Sequence, residues 1–415
     1  MRYFFSIALI ILTTINICAK SQQKGYGYIY SSLPNLIVDG IVTAEDETVI
    51  SLSYSASQGE AIHLSSSTFI SDEAGNRHRI LSAEGIQLDT VTKITTRCDL
   101  HFRLHFTALP THTKCIDLFG EFRGFQFSIY GLHERGYKLR IPKLKEKYNV
   151  KDVKPTYFEK GRSVIIGHVR GRDFRNKPKV ESQHFYNVVN NSYKATWLND
   201  STFMFEVDLE HAIWDNIIIG GKYVQFFLCA NDTLNIYVEH FQKYNETISY
   251  RNFSDSYCFD AMLNNGEYIE GSLFLDKLPQ RAFEKELKRI KKQSIILLRY
   301  IANKHHLSSF EHYLLTNQQR LQLAYRYLFY YGHTDTQFTG RSKFLCDIPW
   351  QDSTLLFVRG WNQGFLNNLC SKTLADYFDK PTIPNEDIES IFPGISDVIM
   401  ADLKRTMKKE QPVLQ

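Results

Sequence analysis

The sequence is short of proline and glycine, with 11 prolines and 22 glycines among its 415 residues. A long low-complexity linker or a fibrous repeat is rich in these residue types, so neither is expected. An excess of one charge is also lacking, because 49 Lys and Arg stand against 45 Asp and Glu. This near-balance excludes a dedicated nucleic-acid-binding protein, and we expect no nucleic-acid partner.

Motifs of familiar catalytic chemistry are absent as well. No two of the seven cysteines are separated by two residues, so the redox-active Cys-x-x-Cys motif does not occur. The sequence has no Gly-x-Ser-x-Gly elbow, no His-Glu-x-x-His pair and no phosphate-cradling glycine-rich loop. We therefore assign no catalytic, cofactor-binding or metal-binding residues and expect no cofactor. The sequence favours a protein that is not an enzyme.

An apolar run of about 14 residues occupies positions 4–17. It is too short to span a bilayer as a helix but has the length of the apolar region of a signal peptide. We expect cleavage after Ala19, so that residues 1–19 are a signal peptide; a retained anchor and a lipid-modified Cys18 are the alternatives. No other segment approaches transmembrane length. The expected location is the periplasm or the cell surface, with no transmembrane span after cleavage.

Alternating apolar and polar residues predict β-structure in the first third of the chain. In the clearest strand, Leu100, Phe102, Leu104 and Phe106 face one way, and His101, Arg103 and His105 face the other. Residues 72–76 (DEAGN) have the composition of a hairpin turn. Many short strands at this spacing predict a β-sandwich domain over residues 20–137.

A charged stretch at residues 138–154 marks the first domain boundary. Alternation resumes beyond it, as in 203–209 (FMFEVDL), and predicts a second β-sandwich-like domain over 155–265. The apolar period then changes to 3.6, which predicts an α-helical segment over 275–415. Its first helix carries Phe283, Leu287 and Ile290 on one face, and a second helix follows at 310–328. A third helix is predicted to be capped by Asp352 or Ser353 and to run to Leu369, and the tail 387–409 has a helical pattern too. The predicted fold class is mainly β followed by α.

Several turn-and-strand segments resemble one family. The segments are 46–49, 69–75, 82–89 (SAEGIQLD), 102–110, 113–118, 226–237, 347–352 and 365–368. They resemble the amino-terminal β-domains and helical segment of secreted TlpA-type thiol–disulfide reductases of Gram-negative envelopes. In that family a thioredoxin domain follows these parts. This sequence stops at Gln415 without a Cys-x-x-Cys, so no catalytic cysteine can be carried over.

The resemblance implies a non-catalytic secreted envelope protein that acts as an accessory or interaction module linked to thiol–disulfide redox proteins. An envelope protein is the implied partner, and the oligomeric state stays open. One alternative is a truncated oxidoreductase that lacks its thioredoxin domain. A second alternative is surface glycan or ligand binding, because aromatic faces pack well on sugars.

A group of cysteines and histidines near the clearest strand suggests metal binding. It contains Cys98, His101, His105, His112 and Cys115, all of residue types that bind zinc. However, His101 and His105 lie about 13 Å apart along a strand at ~3.3 Å per residue, which is too far for one metal ion. We interpret the histidines as an exposed strand face and assign no metal. Cys98 and Cys115 are a candidate disulfide.

The helical segment contains a second group of histidines and a basic run. We interpret His305, His306 and His312 as surface residues, because no His-Glu-x-x-His pattern accompanies them. The basic run 285–292 has the composition of a nucleic-acid- or anionic-membrane-binding site, but Glu284 and Glu286 lie among its basic residues, and the expected location outside the cytoplasm argues against nucleic acid. We interpret it as a solvated helix face.

Overall fold

The computed structural model describes residues 25–33, 35–123, 125–143, 153–171, 180–183, 192–220, 222–241, 246–252, 259, 262–263, 278–332 and 343–359. The chain divides into two compact units, Met1–Arg140 and Ile141–Gln415. The predicted signal peptide and the predicted tail helix lie outside the described residues. The predicted fold class is confirmed, since the strands come first and the long helices follow them.

The described part of the first unit is built of strands and the loops between them. The strands are β1 (Tyr26–Gly27), β2 (Tyr30–Ser31), β3 (Leu36–Thr43), β4 (Glu47–Ala56), β5 (Ala61–Ile62), β6 (Phe69–Ser71), β7 (Arg77–Glu84), β8 (Thr92–Lys93), β9 (Cys98–Thr107), β10 (Cys115–Phe122) and β11 (Phe125–Glu134). Nine of them form one sheet in the order β1-β11-β10-β6-β7-β9-β4-β3, with β2 also paired to β11, and β5 pairs with β8. All these pairings are antiparallel.

The nine-stranded sheet curls until its two edges meet. The phenol of Tyr26 on β1 donates a hydrogen bond of 3.0 Å to the carbonyl of Ile41 on β3. Because β1 and β3 are the two ends of the strand order, this bond brings the sheet close to a closed barrel. The inward side chains of most strands meet in one core.

The alternation of β9 confirms the predicted facing of its residues. Phe102, Leu104 and Phe106 are buried in the core, whereas His101 and Arg103 are exposed. The hairpin predicted at 72–76 is confirmed too, because β6 and β7 pair across it. Its turn is held by Asp72, whose carboxylate accepts hydrogen bonds from the backbone N–H (2.8 Å) and the side-chain amide (2.9 Å) of Asn76.

The second unit begins with two sheets. Its strands are β12 (Gly161–Val169), β13 (Val180–Gln183), β14 (Ser192–Lys194), β15 (Thr196–Trp197), β16 (Thr202–Leu209), β17 (Ile213–Ile219), β18 (Lys222–Leu228), β19 (Thr233–Glu239) and β20 (Thr247–Asn252). One sheet has the order β15-β16-β12-β19-β20 and the other β14-β13-β17-β18. The β12–β19 pair is parallel and the remaining pairs are antiparallel.

Helices complete this unit. They are α1 (Gln280–Lys304), α2 (Ser309–Gly332) and the short α3 (Lys343–Cys346), and 3-10 turns occur at Pro155–Phe158 and Ser353–Phe357. None of the helices in the described ranges combines the length and the apolar character that a membrane crossing requires. On α1, the buried residues Phe283, Leu287 and Ile290 form the apolar face that the period predicts.

The third predicted helix is wrong over the described residues. Asp352 is the N-cap, as predicted, and its carboxylate accepts a hydrogen bond of 3.0 Å from the backbone N–H of Thr354. However, only the 3-10 turn Ser353–Phe357 follows, and Val358 is already extended. The rings of Phe357 and Tyr157 lie 5.6 Å apart, so packing of Phe357 into the interior outweighs the helical pattern. The continuation to Leu369 lies outside the described residues.

An aromatic cluster joins the helices to the sheets. The ring of Tyr157 lies 5.6 Å from Phe227 on β18, 6.0 Å from Phe310 on α2 and 5.6 Å from Phe357. Phe259 adds a further ring, 4.5 Å from Phe227. Because Tyr157, Phe310 and Phe357 are all fully buried, the sheets and the helical segment share one core.

Candidate binding cleft in the helical segment

A cleft of about 230 Å³ opens between the three helices of the second unit. Two helices supply most of its wall, and α3 with the residue after it closes one side. The lining residues are Lys291, Ser294, Ile295, Leu298 and Arg299 on α1, His312, Thr316, Gln319, Arg320 and Leu323 on α2, and Phe344 and Asp347.

Helical spacing explains why these residues meet. On α1 the lining residues recur every three or four positions from 291 to 299, and α2 repeats this spacing from 312 to 323. Residues at that spacing share one helix face. The neighbouring α1 face, which contains Leu287 and Ile290, packs into the core instead. The cleft therefore lies beside the core-facing surface of α1.

The charges in the cleft are mostly positive. Lys291 forms an ion pair with Asp347, and its ammonium lies 5.9 Å from the centre of the Phe344 ring. Arg320 donates a hydrogen bond of 3.0 Å to the side-chain oxygen of Asn317. Together with Arg299, the cleft has three cationic side chains and one carboxylate, which leaves two positive charges at neutral pH.

Two polar side chains in this cleft have no protein partner. Among the described residues, the guanidinium of Arg299 makes no hydrogen bond or ion pair. The amide of Gln319 likewise makes no hydrogen bond within the described ranges, although this residue is only 8% exposed. Arg299 is half-buried, and among the described residues neither group is a buried polar atom without a partner, so both remain accessible to a ligand.

The three helical histidines occupy three different environments. His306 is exposed, as predicted. His305 is half-buried, and burial, together with the charges of Lys304 and His306, lowers its pKa to about 4. His312 is only 6% exposed and lines the cleft, so its prediction as a surface residue is wrong. The reason is tertiary, because α1 and α3 cover the face of α2 that contains it.

Most of the basic run is the solvated face that the sequence predicts. Lys285, Lys288 and Lys292 are exposed, and Arg289 forms an ion pair with Glu286. The exception is Lys291, which is half-buried in the cleft.

The histidines of the first unit have different environments. Over the part of the chain that the structure describes, no three metal-binding side chains converge. His101 and His112 are exposed, as predicted. His105 is not, because its side chain is only 15% exposed and lies between two carboxylates, 2.9 Å from Glu47 and 3.4 Å from Glu84.

The structure does not bring Cys98 and Cys115 together. Cys98 begins β9 and Cys115 begins β10, and β6 and β7 lie between these strands in the sheet. Across the sheet, Phe119 of β10 pairs with Phe69, Phe69 pairs with Arg79, and the next residue, Ile80, pairs with Phe106 of β9. Because β10 and β9 run in opposite directions from this level, their first residues, Cys115 and Cys98, lie at opposite ends of the sheet. No disulfide joins them. A disulfide needs Cα atoms within about 7 Å.

The other cysteines differ in accessibility. Cys229 is buried, and burial together with the carboxylate of Asp232 raises its pKa to about 12. Such a thiol is inert, because the thiolate is the reactive form. Cys346 is exposed and lies between Phe344 and Asp347, two residues that line the cleft. Cys258 and Cys370 lie outside the described residues.

A buried carboxylate on β17 was not found by sequence reasoning. Asp215 is 7% exposed and accepts a hydrogen bond of 2.7 Å from the backbone N–H of Asn216. Burial raises its pKa to about 7, although this bond and the charge of Arg359 act in the opposite direction. The sequence signal was weak, because the strand reads IWDNIII with a single charged residue.

The cleft itself was also missed. The signal in the sequence is the set of polar residues that recur at helical spacing, Lys291 and Arg299 on α1 and His312, Thr316 and Arg320 on α2.

Comparison of this chain with protein-family models, with curated proteins and with solved structures gives no match.

Proposed function

We propose that this chain is a non-catalytic secreted envelope protein that acts as an interaction module, and that the cleft between α1, α2 and α3 is its binding element. The observation that carries the proposal is that Arg299 and Gln319 have no side-chain partner among the described residues, in a cleft lined by three cationic side chains and one carboxylate. When a ligand binds to these two side chains, the protein does not have to break internal hydrogen bonds of their polar groups.

The position of the cleft supports this role. One of its helices, α2, is anchored to the β-sheets, because the buried ring of Phe310 packs on Tyr157, which in turn contacts Phe227 on β18. A binding site on rigid elements loses little conformational entropy when it is occupied. The sheets thus serve as a platform for the helical cleft.

The link to thiol–disulfide proteins is part of the proposal, and the exposed thiol of Cys346 supports it. This cysteine lies beside the cleft, so a partner bound there would meet it. In the reaction the Cys346 thiolate attacks a partner disulfide, forms a mixed disulfide and displaces the partner's other sulfur as a thiolate. No separate oxidant is needed, because the partner disulfide is reduced in this step.

Site-specific photo-crosslinking tests the interaction role. A benzophenone side chain at Ile295, which lines the cleft, is expected to capture one defined envelope protein. The same probe at Val42 in the first unit, which is 64% exposed, is the matched control and should not capture it. The charge-reversing variant Arg320→Glu should abolish the adduct. Equal capture from both positions, or none from Ile295, contradicts the proposal.

Thiol trapping tests the redox link separately. Acid quenching and alkylation at harvest, followed by non-reducing mass mapping, should show a mixed disulfide at Cys346. Cys346→Ser should remove this adduct and leave the photo-crosslink unchanged. If no mixed disulfide forms, or if it persists in the serine variant, the redox link is wrong and the interaction role is judged by the crosslink alone.

A further inference from the structure

The charges of the cleft define the chemistry of its ligand. Lys291 is paired with Asp347, whereas the guanidinium of Arg299 has no partner among the described residues. The ligand group expected to meet Arg299 is therefore an anion. A guanidinium has a planar fork of donors that fits the two oxygens of a carboxylate.

Part of the remaining wall of the cleft is apolar. Leu298, Leu323 and Phe344 are buried residues that line it, and they give a bound molecule an apolar surface to contact. A volume of about 230 Å³ is smaller than the ~300–1,000 Å³ of sites for drug-sized ligands. The space suits a short apolar body of a few carbon atoms with one charged group, and does not suit a large cofactor.

We infer that the cleft binds a carboxylate attached to a short apolar body, with the carboxylate on Arg299 and the amide of Gln319 donating a further hydrogen bond. Both side chains lack a protein partner among the described residues, and Gln319 is more than nine-tenths buried. This inference rests on the proposed function, since it names the chemistry of the same cleft. The carboxylate belongs to a free carboxylic acid or to the carboxy terminus of a partner chain with an apolar last residue.

Calorimetric titration of the purified protein tests the chemistry. Hexanoate is expected to bind saturably at one site, and hexanamide, which lacks the charge, at least tenfold more weakly. Inorganic phosphate is the competitor that separates a carboxylate site from general anion attraction. If phosphate binds as tightly as hexanoate, or if hexanamide binds equally well, the inference is wrong.

Matched variants assign the binding to Arg299. Arg299→Gln should weaken hexanoate binding at least tenfold, and Arg299→Lys, which keeps the charge but loses the fork, by a few fold. Arg281→Gln removes an exposed arginine from the same helix outside the cleft and should change binding less than twofold. A melting temperature close to that of the parent protein verifies folding of each variant. Unchanged binding in both Arg299 variants overturns the inference.

Two peptides separate the sources of the carboxylate. A hexapeptide that ends in leucine with a free carboxylate is compared with the same peptide as its terminal amide. If the free-acid peptide binds at least tenfold more tightly than both the amide and hexanoate, the ligand is a chain terminus. If hexanoate binds as tightly as the free-acid peptide, the ligand is a small carboxylic acid.

These outcomes are distinct from failure of the proposed function. Capture of a partner from Ile295 together with no binding of hexanoate or peptide overturns the carboxylate inference and leaves the interaction role standing. Saturable hexanoate binding without capture supports the carboxylate inference and contradicts the interaction role. Absence of both results overturns both proposals.

Discussion

Two buried aspartates, Asp72 in the first unit and Asp215 in the second, have pKa values shifted in opposite directions. In the first unit, Asp72 and Asp117 are 3% and 1% exposed, and each accepts a backbone N–H at a tight bend of the chain. Burial acts to raise the pKa of Asp72, but hydrogen bonds from Asn76 and the contact with His78 outweigh it and lower the pKa. In the second unit, burial wins at Asp215 and raises its pKa to about 7.

The same contrast extends to neutral polar groups. In the second unit, the side-chain nitrogens of Gln225 and Asn317 are buried and have no acceptor among the described residues. The corresponding nitrogens in the first unit are Nε2 of His78 and of His105, and they lie 3.6 Å and 3.4 Å from carboxylates. Among the described residues, the second unit thus retains unmade hydrogen bonds on β18 and α2, whereas the two nitrogens of the first unit lie near carboxylates.

The largest expected effect is a loss of stability in the second unit that leaves the first unit unchanged. Tyr157→Ala removes the ring at the centre of the aromatic cluster and should cost about 3–5 kcal/mol of unfolding free energy. Hydrogen exchange read by mass spectrometry should show lost protection in α1, α2 and β18, with β4 and β9 unchanged. Tyr157→Phe is the control and should cost about 1 kcal/mol. Equal loss in both units would contradict the division.

The next effect tests the carboxylate of Asp215. A raised native pKa means that folding stability is fully present below the unfolded value near 3.8 and falls as the pH rises through 7. Asp215→Asn keeps the acceptor for Asn216 and removes the ionisation. The parent protein should lose about 2–4 kcal/mol between pH 4 and pH 8 that the variant retains. Chemical denaturation across this range measures it, and parallel curves would refute it.

A somewhat smaller effect is expected at Asp117 in the first unit. Asp117→Ala leaves the buried N–H of Gly131 without this acceptor and should cost about 2–3 kcal/mol. Gly131 has φ +63°, and a Cβ there would lie 2.4 Å from Ile29, so the backbone has little freedom to adjust. Asp117→Asn retains an oxygen acceptor and should cost less. Urea unfolding of both variants gives the comparison, and equal losses would show that the acceptor is not the cause.

The smallest effect is expected at Asp72, where stability should change with pH in the direction opposite to that at Asp215. Because the native pKa of Asp72 is lowered, its contribution is present above pH 4 and is lost as the pH falls through the native value. Asp72→Asn should cost about 1 kcal/mol at neutral pH, and less in acid. Denaturation of the variant and the parent at pH 3 and pH 7 tests this. A pH slope of the same sign as that of Asp215 would remove the distinction between the units.

Local patterns account for what the sequence could predict. The facing of β9 follows from alternation alone, and the turn at 72–76 follows from its own residues, because both depend on neighbours in the chain. The near-closure of the sheet cannot be predicted from local patterns, since it depends on the contact between Tyr26 and Ile41, which are 15 residues apart. The 3-10 turn after Asp352 was predicted as a helix for the same reason, because the burial of Phe357 is a long-range effect.

The cleft shows the same limit at the level of function. Arg299 has no distinguishing neighbour in the sequence, and its significance arises only because Gln319 and Arg320 on another helix face it. His312 was assigned to the surface because its burial depends on packing between helices. The resemblance stated in the sequence analysis includes only short pieces of the helical segment, and it indicates nothing about which residues of α1 and α2 converge.

The bond between Tyr26 and Ile41 has a consequence for the behaviour of the protein at high concentration. An open sheet edge offers unpaired backbone groups on which another chain can add a strand, which is a common route to aggregation. Over the described strands no backbone ladder joins β1 to β3, so the phenol of Tyr26 covers this edge at the carbonyl of Ile41. Removal of this phenol frees one more acceptor on the edge of β3, and we expect it to increase self-association.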